Sequence, residues 1–275
     1  MSVNKNKIMR IFRELLKHKS DTLIILYFVF LHFADIVFGH QNKSYRLLYR
    51  VFHDYDHRKY KFAKFAMVND KISLSRDFQD LLVLFLNQHS KTASHYIEFG
   101  AADGCFKSNC AALEKVGWTG IAIEPNPEFL YKLHNNRSCL IIPKAISINN
   151  TLSTVLYYDA KQPSSGTIVP SKQNKSNLAS QVTISTITPT ELLALYFNHF
   201  SEQPKYISLD IEGNEEIILE SILKEIKPNW ISVEHNFERI KMNSIKTIAH
   251  HFQYEIIFEN LTRNEFFLER SEITF

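Results

Sequence analysis

The sequence predicts an α/β protein, with a doubly wound, mostly parallel sheet, an antiparallel C-terminal hairpin and a helical N-terminal extension. Three observations carry this. From residue 92 onward, short β-branched or aromatic runs alternate with helical patterns, as in parallel strands covered on both faces. The last two extended runs, 252–259 and 265–270, stand too close for a crossover helix and so pair as a hairpin. Charge changes at the same boundary: residues 1–91 carry 16 Lys/Arg against 8 Asp/Glu, and residues 92–275 carry 16 against 21. The expected division is therefore a basic helical extension, 1–91, and a mildly acidic α/β domain, 92–275.

In the extension, Ile8, Ile11, Phe12, Leu15 and Leu16 fall on one face of an amphipathic helix. Residues 22–38, "TLIILYFVFLHFADIVF", are apolar but shorter than the roughly 20 residues that span a bilayer. They also carry His32 and Asp35, and basic residues flank them on both sides. Residues 8–38 are thus either a segment that packs against protein, within or between subunits of a homo-oligomer, or a peripheral membrane contact. No small-residue cleavage site follows, so a removed signal is not expected.

From residue 92 the elements run in order. "HYIEF" (95–99) is a strand and 106–116 a helix that stops at Gly117. "TGIAIE" (119–124) is a second strand, and Pro127 opens a helix to Asn136. "CLIIPKAI" (139–146) and "STVLYYD" (153–159) read as the third and fourth strands, followed by a long polar loop at 164–177. Its Ser and Asn residues with Lys172 and Lys175 suit either contact with a hydroxylated acceptor or a surface insertion. Thr188, Pro189 and Glu191 spell a capped helix start. "KYISLDIEG" (205–213), a helix over 214–226 and "NWISVEH" (229–235) complete the alternation before the hairpin.

Composition excludes several classes. Seven glycines and eight prolines rule out long flexible or collagen-like segments. Cys105, Cys110 and Cys139 form no CxxC pair, which argues against a disulfide framework and a cysteine zinc site. Nothing near Cys105 or Cys110 in sequence makes either a nucleophile.

Ligands of doubly wound sheets bind at the C-terminal edges of the strands. Those edges carry Glu98, Glu124, Asp210 with Glu212, and Glu234 with His235. Gly100 and Gly104 let backbone come close to a ligand, but no Lys-Ser/Thr phosphate cradle follows. Asp103 adds negative charge where a pyrophosphate would sit. The edge suits a cationic ligand that carries a ribose.

"IEFGAADGCFKSN", "GWTGIAIEPNPEFLYKL", "KAI", "YISLDIEGNEEIIL" and "ISVEHN" succeed one another in an order that resembles the FkbM family of methyltransferases, over residues 92–270. The resemblance implies a Rossmann-like fold and methyl transfer from S-adenosylmethionine (SAM) to hydroxyl groups of sugars, glycans and natural products. It also implies roles. Gly100, Ala101, Asp103 and Gly104 form the loop beside the methionine part of SAM, and Glu98 orders its amino group. Glu124 accepts the ribose hydroxyls, Pro125 and Asn126 shape that turn, and Lys144, Ala145 and Ile146 lie beside the adenine. Core packing is an equal reading of Ala145 and Ile146.

An acceptor hydroxyl needs a base or a metal. His235 and Asp210 are the candidate bases. A Mg²⁺ or Mn²⁺ site built from Asp210, Glu212, Glu234 and His235 is the alternative. In a third reading Glu212 caps the following helix and Glu234 pairs with a basic side chain. Two other functions fit the same fold: an NAD-type oxidoreductase using Glu124 for its ribose, and a non-catalytic binding protein. The expected partners are a small-molecule or glycan acceptor and no nucleic acid. The expected location is the cytoplasm, with membrane association through residues 8–38 as the variant.

Overall fold

The structure, a computed structural model, describes residues 57–88, 90, 94–149, 153–159, 162–168, 180–259, 262 and 264–271. The chain divides into two compact units, Met1–Ser73 and Leu74–Phe275. In the first unit the described element is helix α1 (His57–Asn69). Residues 8–38 lie outside the described residues, and with them the choice between membrane and protein contact. Among the described residues, no helix is long and apolar enough to cross a membrane.

The second unit takes in residues 74–91, which the sequence reading assigns to the extension. They contribute helix α2 (Gln79–Leu86), buried over most of its length. Asp80 near its start is fully buried and accepts hydrogen bonds from the Leu74 amide (2.6 Å), the Ser75 amide (3.0 Å) and the Ser75 hydroxyl (2.6 Å). Three donors on one buried carboxylate hold the chain that enters this unit in a single conformation.

The remaining elements follow as β1 (His95–Phe99), α3 (Ala111–Glu114), β2 (Thr119–Ile123), α4 (Pro127–Asn136), β3 (Leu140–Ile142) and β4 (Ala145–Ile146). Next come β5 (Ser153–Asp159), β6 (Gln162–Thr167), β7 (Ser180–Ile187), α5 (Pro189–His199), β8 (Tyr206–Leu209) and α6 (Glu215–Glu225). The chain closes with β9 (Trp230–Glu234), α7 (Arg239–His251), β10 (Tyr254–Ile257) and β11 (Glu265–Arg270). Seven strands form the central sheet in the order β10-β11-β9-β8-β1-β2-β3. The pairs among β9, β8, β1, β2 and β3 are parallel, while β11 is antiparallel to both β9 and β10. The core is the Ile/Leu/Val set of these strands, including Ile97, Ile121, Ile207 and Ile231, packed on helix residues such as Leu192, Ile218 and Ile245.

Three elements depart from the sequence reading. The expected helix 106–116 shrinks to Ala111–Glu114, because Lys107 takes a left-handed φ of 62° and pairs as a bridge with Ser75. The expected strand 139–146 is two strands: Pro143, without an N–H, ends β3, and β4 leaves to pair with β7. The 153–159 run forms β5 of a second, four-stranded sheet of order β4-β7-β5-β6, whose β6 overlaps the expected 164–177 loop and whose β7 was not anticipated. Helix α7 was not anticipated either, although Met242, Ile245 and Ile248 recur at helical spacing.

The register of the parallel strands brings their ends level. Phe99 stands beside Ile123 and Leu209, and Leu209 beside Val233. The next residue on each strand, Gly100, Glu124, Asp210 or Glu234, therefore emerges at the same edge.

Helix α5 begins with a complete capping box, in which Thr188 Oγ1 accepts the Glu191 amide at 3.2 Å and Glu191 accepts the Thr188 amide at 2.8 Å. Thr188→Ala should lower unfolding free energy by about 1 kcal/mol, and Thr188→Ser should restore most of it. Urea denaturation of both variants checks this.

Candidate active site

A cleft of about 530 Å³ opens along that edge. It is lined by Glu98, Gly100, Ala101, Asp103, Glu124, Pro125, Asn126, Ala145, Ile146, Asp210, Glu212 and Glu234, all of them anticipated. Gly104, Lys144 and His235 are not on its wall. Gly104 instead lies where a Cβ would meet the Arg137 and Leu133 side chains at 2.6 Å. His235 follows Glu234 with its ring tilted on Phe266, 4.4 Å between centroids, and edge-on to Phe237. Its Nδ1 accepts the Phe237 amide at 3.0 Å, and burial, with Lys241 and Lys246 adding to it, lowers its pKa. The imidazole packs among aromatic rings, and its lowered pKa favours the neutral form.

Gly100 is required by the fold. Its φ is 77°, and a Cβ there would lie 1.8 Å from the Asp210 carbonyl oxygen. The amides of Gly100 and Ala101 both donate to the Ile123 carbonyl, which draws the loop onto the end of β2. Asp103 then tightens the bend, accepting from the amides of Cys105 (3.0 Å) and Phe106 (2.8 Å).

Glu98 is engaged by donors from the protein. One oxygen accepts from the Ser108 hydroxyl (2.7 Å) and the Asn109 amide (2.9 Å), and the other pairs with Arg137 Nη1 at 2.5 Å. Arg137 is almost wholly buried and also binds Glu114 (2.6 Å) and the Tyr96 hydroxyl (2.8 Å). Burial opposes the guanidinium charge, but Glu98, Tyr96 and Glu114 raise its pKa on balance. Burial would likewise raise Glu114, yet Arg137 and hydrogen bonds from Tyr96 and Ser138 bring it below its usual range. Arg137 directly follows the Asn136 end of the expected helix in a polar "NNRS" stretch, so nothing local in the sequence marks it.

Glu124 uses backbone rather than charge. Its oxygens accept the Ala102 amide (2.7 Å) and the Asn126 amide (2.8 Å), tying the glycine loop to the start of α4. Asn126 caps that helix by accepting the Glu128 amide at 3.1 Å. Burial pushes Glu124 up to about 7, against the pull of those two amides.

The third carboxylate group is shared. Ligand oxygens of Asp210, Glu212 and Glu234 come within 4.8 Å of one another, a spacing that a divalent cation could bridge. Glu234 is held by the Asn264 amide group (2.6 Å) and that of Asn236 (2.5 Å). Burial first, and then Asp210 and Glu212, push Glu234 up to about 10, while burial also raises Asp210. The pair therefore holds one proton near neutrality. The next helix has Asn214, not Glu212, at its N-cap, and there Glu215 accepts the Gly213 amide at 2.8 Å and pairs with buried Lys241 at 2.5 Å.

Several lining residues were not anticipated. Phe106, Ser108 and Asn109 were read as helix, and Arg76 as part of the extension. Leu156, Gly166 and Ile168 come from the second sheet, where Thr167 Oγ1 donates to the Glu212 carbonyl at 2.9 Å. The rest of the 164–177 loop, with Lys172 and Lys175, lies outside the described residues. Cys105 is exposed, and Cys110 is buried with its thiol pushed up by burial, which leaves it unreactive.

The model of the methyltransferase FkbM domain matches residues 98–266. No curated protein matches the sequence. Among solved structures, an O-methyltransferase from Bacillus cereus in complex with SAH is 11% identical, covers 86% of this chain and 94% of its own, and has a TM-score of 0.36. The Methanococcus jannaschii fibrillarin pre-rRNA processing protein is 14% identical over 65% of this chain and 67% of its own, TM-score 0.36. The ribosomal protein L11 methylase from Lactobacillus delbrueckii subsp. bulgaricus is 8% identical over 70% and 77%, TM-score 0.37.

Removing Arg137 leaves Glu98 buried without its cation. Arg137→Met should cost about 3–5 kcal/mol of stability, and the double variant Glu98→Gln/Arg137→Met should be more stable than Arg137→Met alone. Chemical denaturation of the three proteins tests this; strictly additive losses would contradict it.

Proposed function

Because the chain belongs to the FkbM methyltransferase family, we propose that it moves the methyl group of SAM to a hydroxyl oxygen of a sugar, glycan or other natural product. One observation carries the reading. Glu124, Asp210 and Glu234 leave one set of parallel strands at the same level and line one cleft, of a size usual for small-molecule sites.

The residues fit the cofactor. Each Glu124 oxygen has given one lone pair to a backbone amide, so two acceptor positions remain for a pair of ribose hydroxyls. Ala145, Ile146 and Phe129 supply apolar wall for the adenine. Asp103 argues against a dinucleotide, since it consumes the Cys105 and Phe106 amides that a pyrophosphate would need. Glu98 acts behind the loop, positioning Ser108 and Asn109 on the cleft wall.

Bound SAM supplies an already activated methyl group, so what the protein must add is alignment and a proton acceptor. Held by Glu124 and the loop that starts at Gly100, SAM would give its methyl group to the acceptor oxygen and leave as the neutral thioether. The hydroxyl proton passes to the Asp210–Glu234 pair. Glu234, pushed up to about 10, keeps the proton it already holds, which leaves Asp210 to receive the new one.

Two outcomes follow from these assignments. Glu124→Ala should weaken SAM binding by about 1.5–3 kcal/mol, whereas Asp210→Asn should leave SAM affinity within a few-fold while cutting turnover about a hundredfold or more. Calorimetry and a labelled-methyl assay over a glycan panel separate the two roles.

The pH dependence has a definite sign. Ribose hydroxyls donate to ionised Glu124, whose pKa in the free protein is raised to about 7. SAM affinity should therefore rise from pH 6 to pH 8 with release of a proton, and the rise should vanish in Glu124→Gln. In the free protein the same raised pKa favours the protonated fold, so this contribution to stability is present at acid pH and lost as pH rises through about 7.

A further inference from the structure

Arg76 reaches the cleft from a segment that lies before the matched family domain. Its backbone is fixed on both sides. Ser75 pairs as a bridge with Lys107, Asp80 holds Leu74 and Ser75, and Gln79 accepts the Asp77 amide at 2.9 Å. The guanidinium is about two-thirds buried, with Nε 3.4 Å from Asp77 and Nη2 3.6 Å from Glu265. Neither nitrogen makes a hydrogen bond, although both atoms are shielded from water. An arginine in a recognition site would present its fork to an acceptor. This one faces carboxylates at ion-pair distance instead.

The surrounding charge explains it. Glu265, which Arg76 faces, stands directly opposite Glu234 in the β9–β11 register, so Arg76 is one side chain removed from the acid cluster of the cleft. Asp210 and Glu234 line the same cleft as Arg76, with Glu212 as a third acid. Among the described residues, Lys241 pairs with Glu215, and Lys107 has its ammonium 4.9 Å from the Phe106 ring centroid. Burial disfavours the Arg76 charge, but Glu265, Asp77, Asp210 and Glu234 together raise its pKa.

We propose that Arg76 is a positioning residue, the built-in counter-cation of the Asp210–Glu234 carboxylate pair, and that it does there what a bound divalent ion would otherwise do. The role rests on the reading of that pair as the proton acceptor of methyl transfer. It follows that a segment before the matched family domain completes the charge balance of the cluster, and that the cluster does not need a metal while Arg76 is present.

The test needs no acceptor substrate. Mn²⁺ is titrated into the full-length protein and followed by electron paramagnetic resonance, for wild type, Arg76→Gln and Arg76→Lys. Arg76→Gln should bind Mn²⁺ roughly tenfold or more tightly than wild type, and Arg76→Lys should stay close to wild type. Tight Mn²⁺ binding by wild type that Arg76→Gln leaves unchanged would overturn the inference. A stability cycle gives a second readout: Arg76→Gln/Asp210→Asn should be no less stable than Arg76→Gln alone, and additive losses would count against the pairing. SAM calorimetry on the same proteins separates the two layers. Wild type that does not bind SAM defeats the functional reading, and the Mn²⁺ and stability results still decide the role of Arg76.

Discussion

A carboxylate at the buried end of a strand must be matched by a cation, by N–H donors or by a proton, because its desolvation is otherwise too costly. In this protein that constraint organises the whole C-terminal edge of the sheet. Glu98 is matched by the buried guanidinium of Arg137 and by two donors from the loop after β1. Glu124 is matched by the backbone amides of Ala102 and Asn126. Asp210 and Glu234 share a proton, and Glu215 takes Lys241. Each solution also fixes a piece of backbone, so the electrostatic requirement and the shape of the cleft are the same fact seen from two sides. The division of labour follows from it. Acids given strong fixed partners act as scaffolding, while Glu124 and the Asp210–Glu234 pair keep acceptor capacity turned to the cleft.

The sheet was legible because its strands are short apolar runs that end in polar residues at the same register. Glu124, Asp210 and Glu234 could be assigned to one edge from the alternation alone, and the register bears that placement out. What sequence could not carry was direction off the strand. His235 is one residue past Glu234, yet its ring turns to Phe266 while Glu234 turns to the cleft. Nor could it show that Glu98, an acid in a glycine-rich context, is claimed by an arginine 39 residues later. The second sheet was missed for a similar reason. Its β6 and β7 are rich in Ser and Thr, and their pairing with β5 is a tertiary choice that no local pattern announces.

That second sheet matters for the site. It brings Leu156, Gly166 and Ile168 to the cleft and is joined to the acid loop through Thr167 and the Glu212 carbonyl. The segment at 74–80 contributes at the same cleft through Arg76 and the Ser75–Lys107 bridge. The cleft is thus finished by elements on either side of the alternating strands and helices. Such peripheral elements vary most easily without disturbing a core, which fits a shared methyl-donor chemistry with an acceptor chosen at the rim.

The strand-edge cleft is the proposed cofactor site, with Glu124 as its ribose anchor. A crystal structure of the protein with S-adenosylhomocysteine tests it most directly. Both ribose hydroxyls should lie within about 3 Å of the Glu124 carboxylate, with Gly100 beside the amino-acid end and Asp210 facing the open side of the cleft. A nucleoside bound elsewhere, or bound in the cleft with no hydrogen bond to Glu124, would contradict it.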